Sequence, residues 1–153
     1  MGTRSLTRVI PRQQGLAWDK GHEHCDKSMM NMYRQSDGTP EGHGVELAHY
    51  LKNMKIINGI DLGREQPLNK YANGSSCLAA QIVGHFKDRV GDIYLFPNDD
   101  ERGWEAYIYT VYPCERKPLQ MSVWSAYEDR CIFVGTPQEL IKKFEYNRKN
   151  DSH

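Results

Sequence analysis

The sequence predicts one α+β domain: a mainly antiparallel sheet of about six strands, two helices inserted after the second strand, and a short C-terminal helix. Three observations predict it. Period-two segments rich in aromatic and β-branched residues occupy both ends of the chain, the two segments with helical periodicity lie together between them, and a length of 153 residues suits one folding unit. Residues 1–146 are read as the domain, with 12–27 as a long inserted loop and 147–153 as a flexible tail.

Each element has its own signal. Ser5 to Ile10 alternates Leu6, Arg8 and Ile10 with Thr7 and Val9, which predicts a first strand ended by Pro11. Arg12 to Lys27 is polar and carries Gly15 and Gly21, so it reads as a long hairpin loop in which Trp18 folds back as an anchor. Met29 to Tyr33 resumes as the second strand. Ser36 to Gly44 holds three glycines and Pro40 in nine residues, a loop that demands some positive φ angles. A helix follows, with Val45, Leu47, Ala48, Leu51 and Met54 on one stripe. Ile56 to Lys70 reads as a connection, because Asn58-Gly59, Gly63 and Pro67 punctuate it.

The second helix starts after Asn73-Gly74, where Ser75 or Ser76 caps it, and runs through Leu78, Ala79, Ile82, Val83 and Phe86 to a stop at Gly91. Ile93 to Phe96, Trp104 to Tyr112, Leu119 to Ala126 and Arg130 to Val134 then read as a four-strand meander. Thr136-Pro137-Gln138-Glu139 is a capping box with proline at the first helical position. It starts a short last helix that docks through Leu140, Ile141 and Phe144.

Twenty Lys and Arg balance twenty Asp and Glu, so the molecule has no strong long-range field and bulk nucleic acid is disfavoured as a partner. A small anion in a local basic pocket remains compatible with neutrality. Cys25, Cys77, Cys114 and Cys131 are far apart with no CxxC pair, and the N-terminal residues show no secretory leader, so reduced thiols and a cytoplasmic location are expected. No apolar run reaches the roughly 20 residues of a membrane span. Leu6 stands where the myristoylation pattern wants Ser or Thr, and the Asn73-Gly74-Ser75 sequon has no meaning without secretion.

GTRSLT at 2–7, MYRQSDGTPEGHG at 32–44, KYANGSSCLAAQIVGHFK at 70–87 and IYLFP at 93–97 together resemble a family of small uncharacterised proteins of phages and prophages. The resemblance spans most of the chain and brings no active site with it. It implies a context: expression in the cytoplasm of a bacterial host, as an accessory product acting on host metabolism, signalling or defence.

The candidate ligand site rests on two glycine-rich loops that lead into helices, at Gly42 to Gly44 and at Gly74 to Ser76. Helix starts offer unpaired N–H groups and a dipole that favours anions. If both starts converge on the sheet near Arg4 and Arg34, then Asp37, His43, Asn73, Ser75 and Ser76 complete a site for a small anion such as a nucleotide-like one. The plainer reading is that the glycines permit turns and the serines cap.

Other constellations support less. His22, Glu23, His24 and Cys25 lack a second ligand pair at finger-like spacing, so no metal is expected there. Cys77 near a helix start, with His43, His49 or His85 as base, would make a nucleophile, but a small buried packing residue explains it more simply. Asp99-Asp100-Glu101 reads as a solvated turn. Tyr107, Tyr109 and Val111 alternate with Trp104, Ala106 and Ile108, so one face of that strand is expected to meet a second subunit, as a C2 dimer, or a planar ligand.

Three functional classes follow: an accessory protein that binds a small anionic ligand without turnover, with no cofactor and no catalytic residue; an inhibitor that docks on a host protein through the aromatic strand; and a small cysteine-dependent hydrolase or transferase.

Overall fold

A computed structural model of the chain describes residues 2–11, 28–97, 105–114 and 117–151. The 12–27 loop with Trp18 and the His22 to Cys25 cluster, the Asp99 to Glu101 turn and Trp104 lie outside these residues.

The architecture is α+β. One sheet contains β1 (Ser5–Val9), β2 (Met30–Arg34), β5 (Ile93–Leu95), β6 (Tyr107–Tyr112), β7 (Gln120–Ser125) and β8 (Arg130–Gly135); a small second sheet pairs β3 (Lys55–Ile57) with β4 (Tyr71–Asn73). Three helices complete it: α1 (Val45–Leu51), α2 (Gly74–Phe86) and α3 (Pro137–Asp151). The spatial order β5-β2-β1-β6-β7-β8 is antiparallel except where β1 runs parallel to β6.

Two topological expectations need correction. The last four strands are not a meander: β5 leaves them and adds to the free edge of β2, through hydrogen bonds from Gln35 N to Asp92 O and from Phe96 N to Asn31 O. The next strand, β6, occupies the opposite edge of β1, so the N-terminal strand becomes central. Period-two patterning reports that a segment is a strand and which face is buried, but carries no information about its neighbour. The second correction is β3 and β4, three residues each, in and beyond what reads as connection. They pair in parallel between α1 and α2, and strands that short give almost no period to detect.

The core lies between one face of the sheet and the helices. Val9, Met32, Tyr109, Val111, Met121 and Val123 face Leu47, Leu51, Leu78, Ile82 and Leu140, all of them 0–1% exposed. Each such aliphatic side chain contributes about 1.5–3 kcal/mol on burial. On the other face Leu6, Tyr33 and Ile108 form a smaller buried cluster with Phe96 and Trp124 against it. The capping box at α3 forms as the sequence predicts: Glu139 N donates to Thr136 Oγ1 at 3.2 Å, and Thr136 N donates to Glu139 Oε1 at 3.1 Å. With both orphan groups satisfied the helix runs fifteen residues, through positions read from sequence as tail.

The faces decide which side chains can meet. Ser5, Thr7, Met32 and Arg34 point to the helices, while Leu6, Arg8 and Tyr33 point away, as the register Leu6 to Tyr33 and Thr7 to Met32 requires.

Candidate functional site

The loop after β2 delivers the central residue of the site. Gly38 packs so tightly on β1 that a Cβ there would meet the Ser5 Cβ and the Thr3 carbonyl at 2.8 Å each, which only glycine tolerates. Asp37 precedes it at φ +59°, and the buried Tyr109 hydroxyl donates to the Gly38 carbonyl at 2.6 Å. Pinned in this way, the chain enters a π-helical turn at Pro40–Gly44 and turns His43 inward, fully buried beneath α1.

The surroundings of His43 specify its protonation. Arg34 Nη1 lies 3.0 Å from Nδ1, and a guanidinium can only donate, so Nδ1 is the acceptor. The ring proton is then on Nε2, which donates to Thr7 Oγ1 at 2.7 Å. Burial disfavours a second proton and the Arg34 charge opposes it further, so the pKa falls from 6.5 to about 3. Rings of Phe86 and Tyr109 stand 4.9 and 5.1 Å away, closing the imidazole in.

His43 in turn orients Arg34. Two hydrogen bonds of the guanidinium use Nη1, the second going to Glu46 Oε2 at 2.8 Å, while Phe86 lies 5.7 Å beneath Cζ. Arg34 Nε is buried without a hydrogen-bond partner; Asp92 Oδ2 approaches to 3.8 Å, beyond hydrogen-bonding range. Asp92 is already engaged by Ser36 Oγ at 2.9 Å and by Arg89 at 3.2 Å.

Arg34 lies on the wall of a cleft of about 690 Å³ between α1 and the end of α2. Lys52 and Arg89 add positive charge and Glu46, Asp88, Asp92 and Glu145 add negative charge. Tyr50 and His85, stacked at 4.2 Å and 22°, make a planar wall. Behind that pair lies a second, largely apolar hollow of about 530 Å³ lined by Leu68, Cys77, Ala80 and Gly84.

Of the residues singled out from sequence, the fold brings together Arg34 and His43 only. Arg4 belongs to the opposite face of the sheet, where it interacts with Tyr33. Asp37 is exposed and contributes its carbonyl, which accepts from His43 N at 2.8 Å. Asn73, Ser75 and Ser76 sit at the start of α2, whereas it is Phe86 at its end that touches His43. The thirteen residues of α2 span roughly 18 Å, so its start lies at the opposite end of the helix from Phe86, and it is the Phe86 end that meets the turn. The amides at the first start are also spent internally: Gly42 N and Gly44 N donate to Thr39 O, and His43 N to Asp37 O.

Sequence reasoning missed Glu46, Tyr50, His85, Arg89 and Asp92 as cleft residues. Asp92 at φ +62° and Gly91 at φ +83° form a turn whose neighbours are invisible until β5 is placed beside β2.

Among the described residues no histidine hydrogen-bonds to Cys77, although His85 lines the same hollow. Its thiol donates to Gln81 Oε1 at 2.9 Å, His43 is occupied by Thr7 and Arg34, His49 contacts Glu145, and His85 stacks on Tyr50. Among the described residues no His, Cys, Asp and Glu cluster is arranged to hold a metal, and no helix is long and apolar enough to cross a membrane. The strand expected to dock a partner, β6, is central, with five of its six residues buried. Comparison with protein-family models, curated proteins and solved structures gives no match to this chain.

Proposed function

We propose that the chain binds a small anionic ligand in the cleft between α1 and α2 without turning it over, in the accessory role that the phage resemblance implies. The observation that carries this reading is the guanidinium of Arg34: buried, oriented by His43 and Glu46, and left with an Nε–H that makes no hydrogen bond among the described residues, the Asp92 carboxylate standing 3.8 Å away. A buried donor without a partner costs about 1–3 kcal/mol, which a carboxylate or phosphate oxygen recovers on binding. The side-on edge of arginine matches such groups in plane.

The cleft volume falls within the range usual for small-ligand sites, and the Tyr50–His85 wall suits a flat ring, so a nucleotide-like ligand fits both features. Three cations against four carboxylates on the lining give no long-range attraction for anions. Affinity therefore rests on direct pairing with Arg34, which favours one compact anionic group over a polyphosphate. The absence of turnover is supported by His43, whose two ring nitrogens are both committed to holding Thr7 and Arg34. The burial of five of the six β6 residues favours this reading over docking of a host protein through that strand.

A thermal-shift panel of nucleoside monophosphates, cyclic nucleotides and inorganic phosphate tests the proposal. A ligand at about a hundred times its Kd stabilises the fold by about 2.7 kcal/mol. Arg34→Lys, which keeps the charge but loses the planar edge, is expected to abolish the shift. Equal responses of the two proteins, or none from the wild type at millimolar ligand, would remove the reading.

A further inference from the structure

The chain contains two Asn-Gly pairs, Asn58-Gly59 and Asn73-Gly74, and the fold ties them to each other. Asn73 stands at the start of α2 yet makes no capping hydrogen bond to it. Its side-chain oxygen instead accepts from the backbone N–H of Gly59 at 2.8 Å, across the small β3–β4 sheet. Asn58 is exposed, and Gly59, at φ +106°, has nothing within 4 Å of where a Cβ would stand.

We propose that Asn58 is a site of spontaneous deamidation and that Asn73 is the latch restraining it. The reaction needs the Gly59 nitrogen as nucleophile. That nitrogen bonds to the Asn58 side-chain carbonyl carbon, its proton and the amide nitrogen leave together as ammonia, and a five-membered succinimide forms. Water then opens the ring at either carbonyl, giving aspartate or isoaspartate. Glycine after asparagine removes the side chain that would crowd the ring. Nothing stands within 4 Å of the Cβ position at Gly59, so the control lies in the hydrogen bond: while Gly59 N–H donates to Asn73 Oδ1, its proton is held.

The same contact restrains the second pair. With Asn73 Oδ1 reaching across to β3, the Asn73 side chain cannot fold back onto the Gly74 nitrogen. Opening of the β3–β4 sheet, which has three residues on each strand, releases both sites at once. Conversion at residue 58 places a new carboxylate, or an extra main-chain carbon, at the end of β3, beside the loop that leads to the Leu68 side of the apolar hollow.

Incubation of the full-length chain at mildly alkaline pH, followed by tryptic mapping, reads the two sites separately, since Asn58 falls in the peptide 56–64 and Asn73 in 71–87. Asn73→Ala is expected to speed conversion of Asn58 about fivefold, the factor equivalent to one hydrogen bond of ~1 kcal/mol. Asn73→Asp retains an acceptor oxygen and is expected to match the wild type. Asn73→Ser offers α2 a capping oxygen but is too short to reach Gly59, so it should behave as the alanine variant while the fold is preserved. The wild-type chain in denaturant should convert fastest. If Asn58 reacts at one rate in the wild type and in the Ala and Ser variants, or as fast folded as denatured, the latch does not exist.

Discussion

Replacing His43 by glutamine tests the reasoning about the buried centre most directly. The imidazole is neutral in the folded state because burial, and secondarily the Arg34 charge, hold its pKa at about 3 instead of 6.5. In the unfolded chain it protonates below about pH 6.5. Between those values the unfolded state binds one more proton than the folded state, so stability falls as pH falls, by about 1.4 kcal/mol per pH unit. The full interval is worth about 5 kcal/mol, comparable with the entire stability of a small domain. Carboxylates titrate in the same range, so the informative quantity is the difference between two pH profiles. His43→Gln keeps polar atoms near Thr7 and Arg34 but has no titrating proton. Urea unfolding of both proteins from about pH 7 to about pH 4 should show the wild type losing about 3 kcal/mol more than the variant. Parallel profiles would refute the assignment of a buried, neutral His43, even if the variant is less stable at every pH.

Tyr109→Phe removes the hydroxyl that satisfies the Gly38 carbonyl; with that acceptor buried, a loss of about 1–3 kcal/mol is expected in the same unfolding assay. Thr136→Ala breaks the capping box of α3 and should cost about 1 kcal/mol, whereas Thr136→Ser should cost far less. Lys87 donates to the Ile93 carbonyl at 2.9 Å on edge strand β5, and Lys143 donates to the Ile132 carbonyl at 3.0 Å on edge strand β8. Both edges thus carry a lysine over a main-chain acceptor, a device against edge-to-edge pairing. The double variant Lys87→Ala, Lys143→Ala should show increased light scattering over time with little change in the unfolding midpoint; unchanged scattering would assign the lysines no such role.

The legible parts of this protein were the local ones. Leu6 and Val9 announced a strand by alternation, Leu78, Ala79 and Ile82 announced a helix by spacing, and Thr136 with Glu139 announced where α3 begins. All of these signals concern residues within about one helical turn of each other, where backbone geometry dictates which side chains share a face. The glycines at 38, 42 and 44 also marked a turn, but the positive φ expected of this loop falls on Asp37 and on none of them: Gly38 is needed for close approach to β1, and Gly44 lies 3.1 Å, at its would-be Cβ, from the Tyr109 ring.

The candidate site was only half legible. Arg34 and His43 stood out because both lie beside the glycine-rich turn, and the fold does join them. Arg4 was grouped with Arg34 on the expectation that both helix starts converge near them, yet the pleat sends the two to opposite faces. Asn73, Ser75 and Ser76 were grouped by resemblance of loop type, yet α2 runs so that its far end meets the turn.

By itself, then, the sequence determined the class of the domain, the identity of nearly every element, the balance of its formal charges and the presence of an arginine and a histidine beside a tight turn, because each of these follows from short-range covalent geometry or from composition. The tertiary structure alone decided that β5 joins β2, that β6 runs parallel to β1, which end of α2 meets His43, and therefore which side chains line the cleft. Those are contacts between residues tens of positions apart, chosen by how whole apolar faces fit together, and no local pattern encodes them.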